Sequence, residues 1–142
     1  MNLAVRYIQQ EHVRRDLTFY GMRFTDDQIR YYRTLKEKIL NSDTHIFHPL
    51  ELQASRASGK TTVLLKLAQE FGIPLITMNT GLARQLNRSY PDVLVISSSE
   101  ASRLRGSRYP FSLVDEGVNL DRLDPSIRII TGINGRNLYY GN

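Results

Sequence analysis

Ala54-Ser55-Arg56-Ala57-Ser58-Gly59-Lys60-Thr61-Thr62 decides how this chain is read. Small residues ending in Gly-Lys-Thr suit a loop whose backbone N–H groups turn inward around a phosphate. The lysine then reaches the outer phosphates and the following hydroxyl helps to hold Mg²⁺. The full form of such a loop is G-x-x-x-x-G-K-[ST]. Ala54 stands at the first glycine position, where a Cβ restricts a turn that glycine usually makes, and Gly59-Lys60-Thr61 is intact. On the upstream side, Leu50-Glu51-Leu52-Gln53 alternates after Pro49 and predicts a strand. On the downstream side, Val63, Leu64, Leu67, Ala68 and Phe71 recur at helical spacing between Thr62 and Phe71, and Gly72 stands where a helix stops. A helix opening at the loop adds its N-terminal partial charge to the site.

Phe111-Ser112-Leu113-Val114-Asp115-Glu116 is the second informative stretch. By itself it reads as a buried strand with a solvated acidic end. With the loop upstream, Asp115 becomes a ligand for Mg²⁺ and Glu116 a base that polarises the water attacking a γ-phosphate. Both carboxylates belong at the carboxyl end of a sheet strand, where open α/β sheets place their ligands.

The 142 residues suit one domain. The absence of cysteine excludes disulfides and thiolate metal sites. His12, His45 and His48 form no metal-ligating cluster in sequence and read as surface or strand-edge residues. No apolar run approaches the roughly 18 residues of a membrane span, and the N-terminus lacks a signal-peptide pattern. The expectation is a cytoplasmic protein (in the host cytoplasm if the source is viral) with no membrane partner.

The formal net charge is +5, and fifteen of the nineteen basic residues are arginine, the better fork for phosphate. Arg84, Arg88, Arg103, Arg105 and Arg108 lie between Gly81 and Pro110, against Asp92 and Glu100. They read as a face for double-stranded DNA or RNA, as a solvated surface, or as groups offered to a neighbouring subunit's nucleotide.

Two parts are expected along the chain: an N-terminal helical segment over 1–44 and a nucleotide-binding core over 45–142, forming one compact domain. Asn2 to Arg15 carries an imperfect helical pattern. A second helix is predicted from Thr25, an N-cap whose capping box is completed by Gln28, with Ile29, Tyr32, Leu35, Ile39 and Leu40 on one face and an end at Asn41-Ser42-Asp43. Later strands are predicted over 74–78, 92–96 (buried on both faces), 111–115 and 127–131, with short helices over 80–87 and 99–104. Pro125 excludes a long helix before the last strand. The fold class is therefore α/β, a mostly parallel sheet of about five strands flanked by helices.

These residues resemble a known family. Ser55-Arg56-x-x-Gly59-Lys60-Thr61-Thr62 is similar to the deviant phosphate loop of the large terminase subunit, the DNA-packaging ATPase of tailed bacteriophages, over roughly residues 24 to 134. The resemblance implies a P-loop NTPase with ATP and Mg²⁺ bound by residues 55–62, metal ligands Thr61 and Asp115, and a catalytic Glu116 that directly follows the Walker B aspartate. It also implies that Arg56 turns toward the γ-phosphate as an arginine finger; an outward-facing arginine is the competing reading. Thr131 and Asn134, within Ile129-Ile130-Thr131-Gly132-Ile133-Asn134, match the family's coupling segment, although Thr131-Gly132 also reads as a strand's exit turn. Gln28, with Phe24 and Tyr31 nearby, matches the glutamine that contacts adenine, in competition with its capping role. The nuclease domain of large terminases has no counterpart before Asn142, so the expectation is an ATPase module alone or a reduced relative.

The function expected is Mg-dependent ATP hydrolysis, carried by Lys60, Glu116 and Arg56, with double-stranded DNA, a protein partner or further copies of the chain as partners. The alternatives are a nucleotide-gated interaction protein with little turnover, a small phosphotransferase whose lid is built from Arg103 to Arg108, and a structural fold with a decorative loop.

Overall fold

A computed structural model describes residues 17–55 and 57–135 of the chain. The expected helix over 2–15, His12 and Arg56 lie outside the described residues. The described elements begin with a hairpin of β1 (Thr18–Phe19) and β2 (Met22–Arg23), then α1 (Asp26–Leu40) and β3 (Ile46–Phe47). After the 54–62 loop come α2 (Lys60–Phe71), β4 (Leu75–Thr77), α3 (Thr80–Ser89) and β5 (Val95–Ser97). A 3₁₀ segment (Ser98–Leu104), β6 (Ser112–Val114), a 3₁₀ turn (Leu120–Arg122) and β7 (Ile129–Ile133) follow.

Strands β3 to β7 form one five-stranded sheet in the order β3-β7-β6-β4-β5, and every pair in it is parallel. The α/β class and the parallel five-stranded sheet flanked by helices are therefore as expected. Because all five strands point the same way, their carboxyl ends gather on one edge. The register of β6 against β7 slips by one residue between Ser112 and Leu113.

Alternation along the strands builds two apolar layers. Leu75 and Leu113 face one cluster with Ile29, Tyr31 and Leu35 of α1, Val63, Leu64 and Leu67 of α2, and Ala83 and Leu86 of α3. Ile76 and Val114 face the other, with Ala101, Leu104 and Val118. Helices α1, α2 and α3 thus share one face of the sheet, and the 3₁₀ segments and the chain after β6 cover the other. Each fully buried Leu or Ile contributes about 1.5–3 kcal/mol, so α1 is integral to the same core as the sheet.

The helix ends follow their local signals. Thr25 caps α1 with both bonds of the capping box, and Gly72 closes α2 in the left-handed region at φ 64°. Within α1, Ile29, Tyr32 and Leu35 are buried as the spacing predicts, while Leu40 is 64% exposed and Tyr31, off the predicted stripe, is fully buried.

Several boundaries differ from the sequence expectation. Residues 50–53 are not a strand. The carbonyls of His48, Pro49 and Leu50 accept from the N–H groups of Glu51, Leu52 and Gln53, winding the segment into turns. The Glu51 carboxylate accepts the His48 N–H, and His48 Nδ1 accepts the Leu50 N–H. The strand that feeds the loop is the earlier Ile46–Phe47. Within the segment expected to be helical lies the β1–β2 hairpin, turned by Tyr20 at φ 51° and Gly21 at φ 76°. Strand β5 starts at Val95 rather than Asp92, because a turn closed by Val93 N–H onto the Tyr90 carbonyl takes up the earlier residues. It is an edge strand in which Val95 is buried in the first cluster, Ile96 is half-buried against the second and Ser97 is buried, while Leu94, expected within the strand, precedes it and is 40% exposed. Thr131-Gly132 is not an exit turn: both residues lie inside β7, where Gly132 pairs with Ile46 and Val114.

Candidate functional site

Three chain segments meet at the carboxyl edge of the sheet: the loop after β3, Asp115-Glu116 after β6, and Asn134 after β7. Strand β7 lies between β3 and β6, so the loop and the acidic pair face each other across one intervening strand. Asn134 joins them. Its N–H donates to the Phe47 carbonyl at 2.9 Å, and its fully buried Nδ2 donates to Val118 O at 2.8 Å and Asp115 O at 3.4 Å.

The loop makes its left-handed turns at Gln53 (φ 51°), Ala57 (φ 57°) and Gly59 (φ 81°). Ala54 is not among the positive-φ residues, so its Cβ is tolerated where glycine is customary. Gly59 is the N-cap of α2, and no side chain caps that helix. Its first-turn amides, at Lys60, Thr61 and Thr62, therefore carry the helix's partial positive charge toward whatever lies at the loop.

Lys60 is 8% exposed. Its Nζ donates to the Ser55 carbonyl at 2.9 Å, folding the side chain back over the loop, and stands 3.6 Å from Glu116 Oε2. Thr61 Oγ1 lies 3.2 Å from Asp115 Oδ2 and 3.3 Å from Oδ1. Asp115 is 3% exposed. Burial pushes its carboxyl up to about 6, against the Glu116 N–H and Thr61 hydroxyl that bond its charged form. The Glu116 side chain is 44% exposed and lies against Gly135, where an added Cβ would come within 3.1 Å of Oε1.

Whether Mg²⁺ suits these residues follows from the donors. Thr61 Oγ1 and the Asp115 carboxylate are hard oxygens within one coordination shell of each other, and the carboxylate is desolvated by burial. No group of three or more His, Cys, Asp or Glu capable of holding a metal occurs among the described residues. Two protein oxygens with water and phosphate completing the shell is the arrangement Mg²⁺ favours, since it gives up its waters reluctantly. The residues fit.

Lys60, Thr61, Asp115, Glu116 and Asn134 are thus brought together, and Ser55, Ala57, Ser58, Gly59 and Thr62 line the same loop. Thr131 is turned elsewhere: it is fully buried and donates to the His45 carbonyl at 2.7 Å. Gln28 reaches the loop itself, its Nε2 donating to the Gly59 carbonyl at 3.2 Å. Phe24 is buried against Tyr32. Tyr31 donates to Ser58 Oγ at 3.1 Å, a contact whose only sequence signal is that it follows Gln28 by one helical turn.

The arginines of the 81–110 stretch are engaged with near neighbours or solvent. Arg103 pairs with Glu100 at 2.8 Å, Arg105 pairs with Asp124, and the Arg108 guanidinium lies 5.4 Å from the centroid of the Tyr109 ring. Arg84 and Arg88 are exposed on α3. No helix among the described residues is long and apolar enough to cross a membrane. Comparison of the chain with protein-family models, with curated proteins and with solved structures finds no match.

Proposed function

We propose that this protein binds ATP through the 54–62 loop and hydrolyses it with Mg²⁺, as a terminase-like P-loop ATPase module. The observation that carries this reading is the convergence of Lys60, Thr61, Asp115 and Glu116 at the carboxyl edge of a parallel sheet. The open amides of α2 and the Lys60 ammonium bind the phosphates, the ammonium leaving Ser55 O and Glu116 for a phosphate oxygen. Thr61 and Asp115 would hold Mg²⁺, which would screen the phosphate charge and lower the barrier to attack on the γ-phosphorus. Glu116, half-exposed beside Lys60, orients the attacking water and accepts its proton. Gly135 leaves room for the Glu116 carboxylate, and Asn134 fixes the backbone at Asp115 and Val118.

Water as acceptor is favoured over a phosphotransferase lid, because Arg103, Arg105 and Arg108 have partners away from the loop. Double-stranded DNA is the partner proposed to stimulate turnover, with Arg84 and Arg88 as its exposed contacts. The test is phosphate release from Mg·ATP by the wild type, Lys60→Ala and Glu116→Gln, with and without double-stranded DNA. Turnover that rises with DNA and is lost in both variants supports the reading. Equal turnover in the wild type and Glu116→Gln refutes the assigned chemistry.

A further inference from the structure

Helix α1 touches the loop through two side chains one turn apart, and both contacts fall on the residues just before Lys60. The Gln28 amide is not free to rotate. Its Oε1 accepts the Thr25 N–H at 2.9 Å, while the Gln28 N–H donates to Thr25 Oγ1 at 3.1 Å. With Oε1 committed to the capping box, Nε2 faces the loop and donates to the Gly59 carbonyl at 3.2 Å. One turn further on, the buried Tyr31 hydroxyl meets Ser58 Oγ at 3.1 Å. Glycine suits position 59 because φ is 81° there, and an added Cβ would stand 2.2 Å from Gln28 Nε2 and displace that amide.

The Gly59 carbonyl and the Lys60 N–H belong to one planar trans peptide, so they point in opposite directions. The Gly59 carbonyl accepts the Val63 N–H at 3.3 Å as the first bond of α2, and Gln28 Nε2 is its second donor, so the side chain from α1 helps to fix the plane of this peptide and with it the direction of the Lys60 N–H. The middle of α1 is tied to α2 as well: Tyr32 donates to Glu70 Oε1 at 2.7 Å, and Lys36 Nζ donates to Tyr32 Oη at 3.1 Å. The helix is thus fixed to α2 at its middle and grips the loop through its first two turns.

We propose that Gln28 and Tyr31 are positioning residues that hold Ser58 and the 59–60 peptide in the phosphate-binding shape, so that the capping box of α1 preorganises the loop. This rests on the nucleotide reading above. It departs from the adenine contact that the resemblance implies for Gln28, because the amide is here turned to the loop backbone.

Gln28→Glu isolates the contact. Glutamate keeps the capping box, in which it is a customary third residue, but sets an acceptor against the Gly59 carbonyl. Tyr31→Phe removes one hydroxyl. Tyr32→Phe, on the same helix but away from the loop, is the control for helix packing. Two measurements apply: amide hydrogen exchange over 58–61 in nucleotide-free protein, and calorimetric affinity for Mg·ATP and for Mg·tripolyphosphate, which has no base.

Loss of one such contact is expected to speed exchange and weaken both ligands about fivefold to tenfold in Gln28→Glu, and less in Tyr31→Phe. Tyr32→Phe should lower the melting temperature without either effect. Unchanged exchange at 58–61 in Gln28→Glu overturns the proposal, and so does a loss of ATP affinity that spares tripolyphosphate, which would assign Gln28 to the base. If Lys60→Ala abolishes ATP binding while both α1 variants bind as the wild type does, the proposal fails and the nucleotide reading stands. A wild type that binds neither ligand overturns both.

Discussion

Replacing Asp115 by asparagine should make the metal-free protein more stable. The carboxyl is 3% exposed and its titration is pushed from the ordinary 3.8 to about 6, chiefly by burial. Between these two values the unfolded chain has lost the proton that the folded chain still holds. Stability therefore falls as pH rises from about 4 to about 6, and stays lower above that. The displacement converts to ~3 kcal/mol at pH 8, taken as an upper figure. Asparagine has no charge to desolvate, and its amide can accept from the Glu116 N–H and donate to Thr61 Oγ1, the two partners Asp115 has now.

The assay is urea unfolding of wild type and Asp115→Asn in EDTA at several pH values, because other titrating groups cancel in the difference. The variant should exceed the wild type by about 2–3 kcal/mol at pH 8, with the gap closing toward zero by about pH 4. Added Mg²⁺ with nucleotide should stabilise the wild type alone. A gap of zero at pH 8, or one that does not change with pH, would refute the claim that burial makes this carboxylate's charge costly to the folded protein.

Other substitutions probe the site and its frame. Glu116→Gln should bind Mg·ATP as the wild type does while turnover falls by about 10²–10⁴-fold, read by paired calorimetry and phosphate release. Gly132→Ala would bring a Cβ within 2.2 Å of the Val114 carbonyl. It should cost about 3 kcal/mol or more in urea unfolding by forcing β7 away from β6. Asn87→Ala removes the side-chain amide that closes the β5 edge by bonding both Val95 O at 2.7 Å and Val95 N–H at 2.9 Å. A loss of about 1–2 kcal/mol is expected, and a variant as stable as the wild type would count against it.

What the sequence disclosed was local. The capping box at Thr25 and Gln28, the stop at Gly72 and the apolar spacing of α2 are set by residues within a few positions of each other, and each stands where expected. The parallel sheet followed from alternation of elements. The failures were contests between two local signals or effects of distant packing. At 50–53 an alternating pattern competed with Pro49 and with the His48 and Glu51 side chains that wind the backbone into a turn. Tyr31 lies one helical turn before Leu35 and packs in the same core cluster, so the spacing carried its burial, whereas the hydroxyl contact with Ser58 joins residues 27 positions apart. Gln28 could be read as a cap, but its second contact joins residues 31 positions apart, and spacing cannot show that. Gly132 carried a turn signal, yet its use is close approach to Val114 within the sheet.

The central claim is that the 54–62 loop holds a nucleotide's phosphates through Lys60. Titration calorimetry of wild type and Lys60→Ala with Mg·ATP tests it most directly. Saturable one-to-one binding by the wild type and its loss in Lys60→Ala are expected. No heat of binding in the wild type, or equal affinity in both proteins, would contradict it.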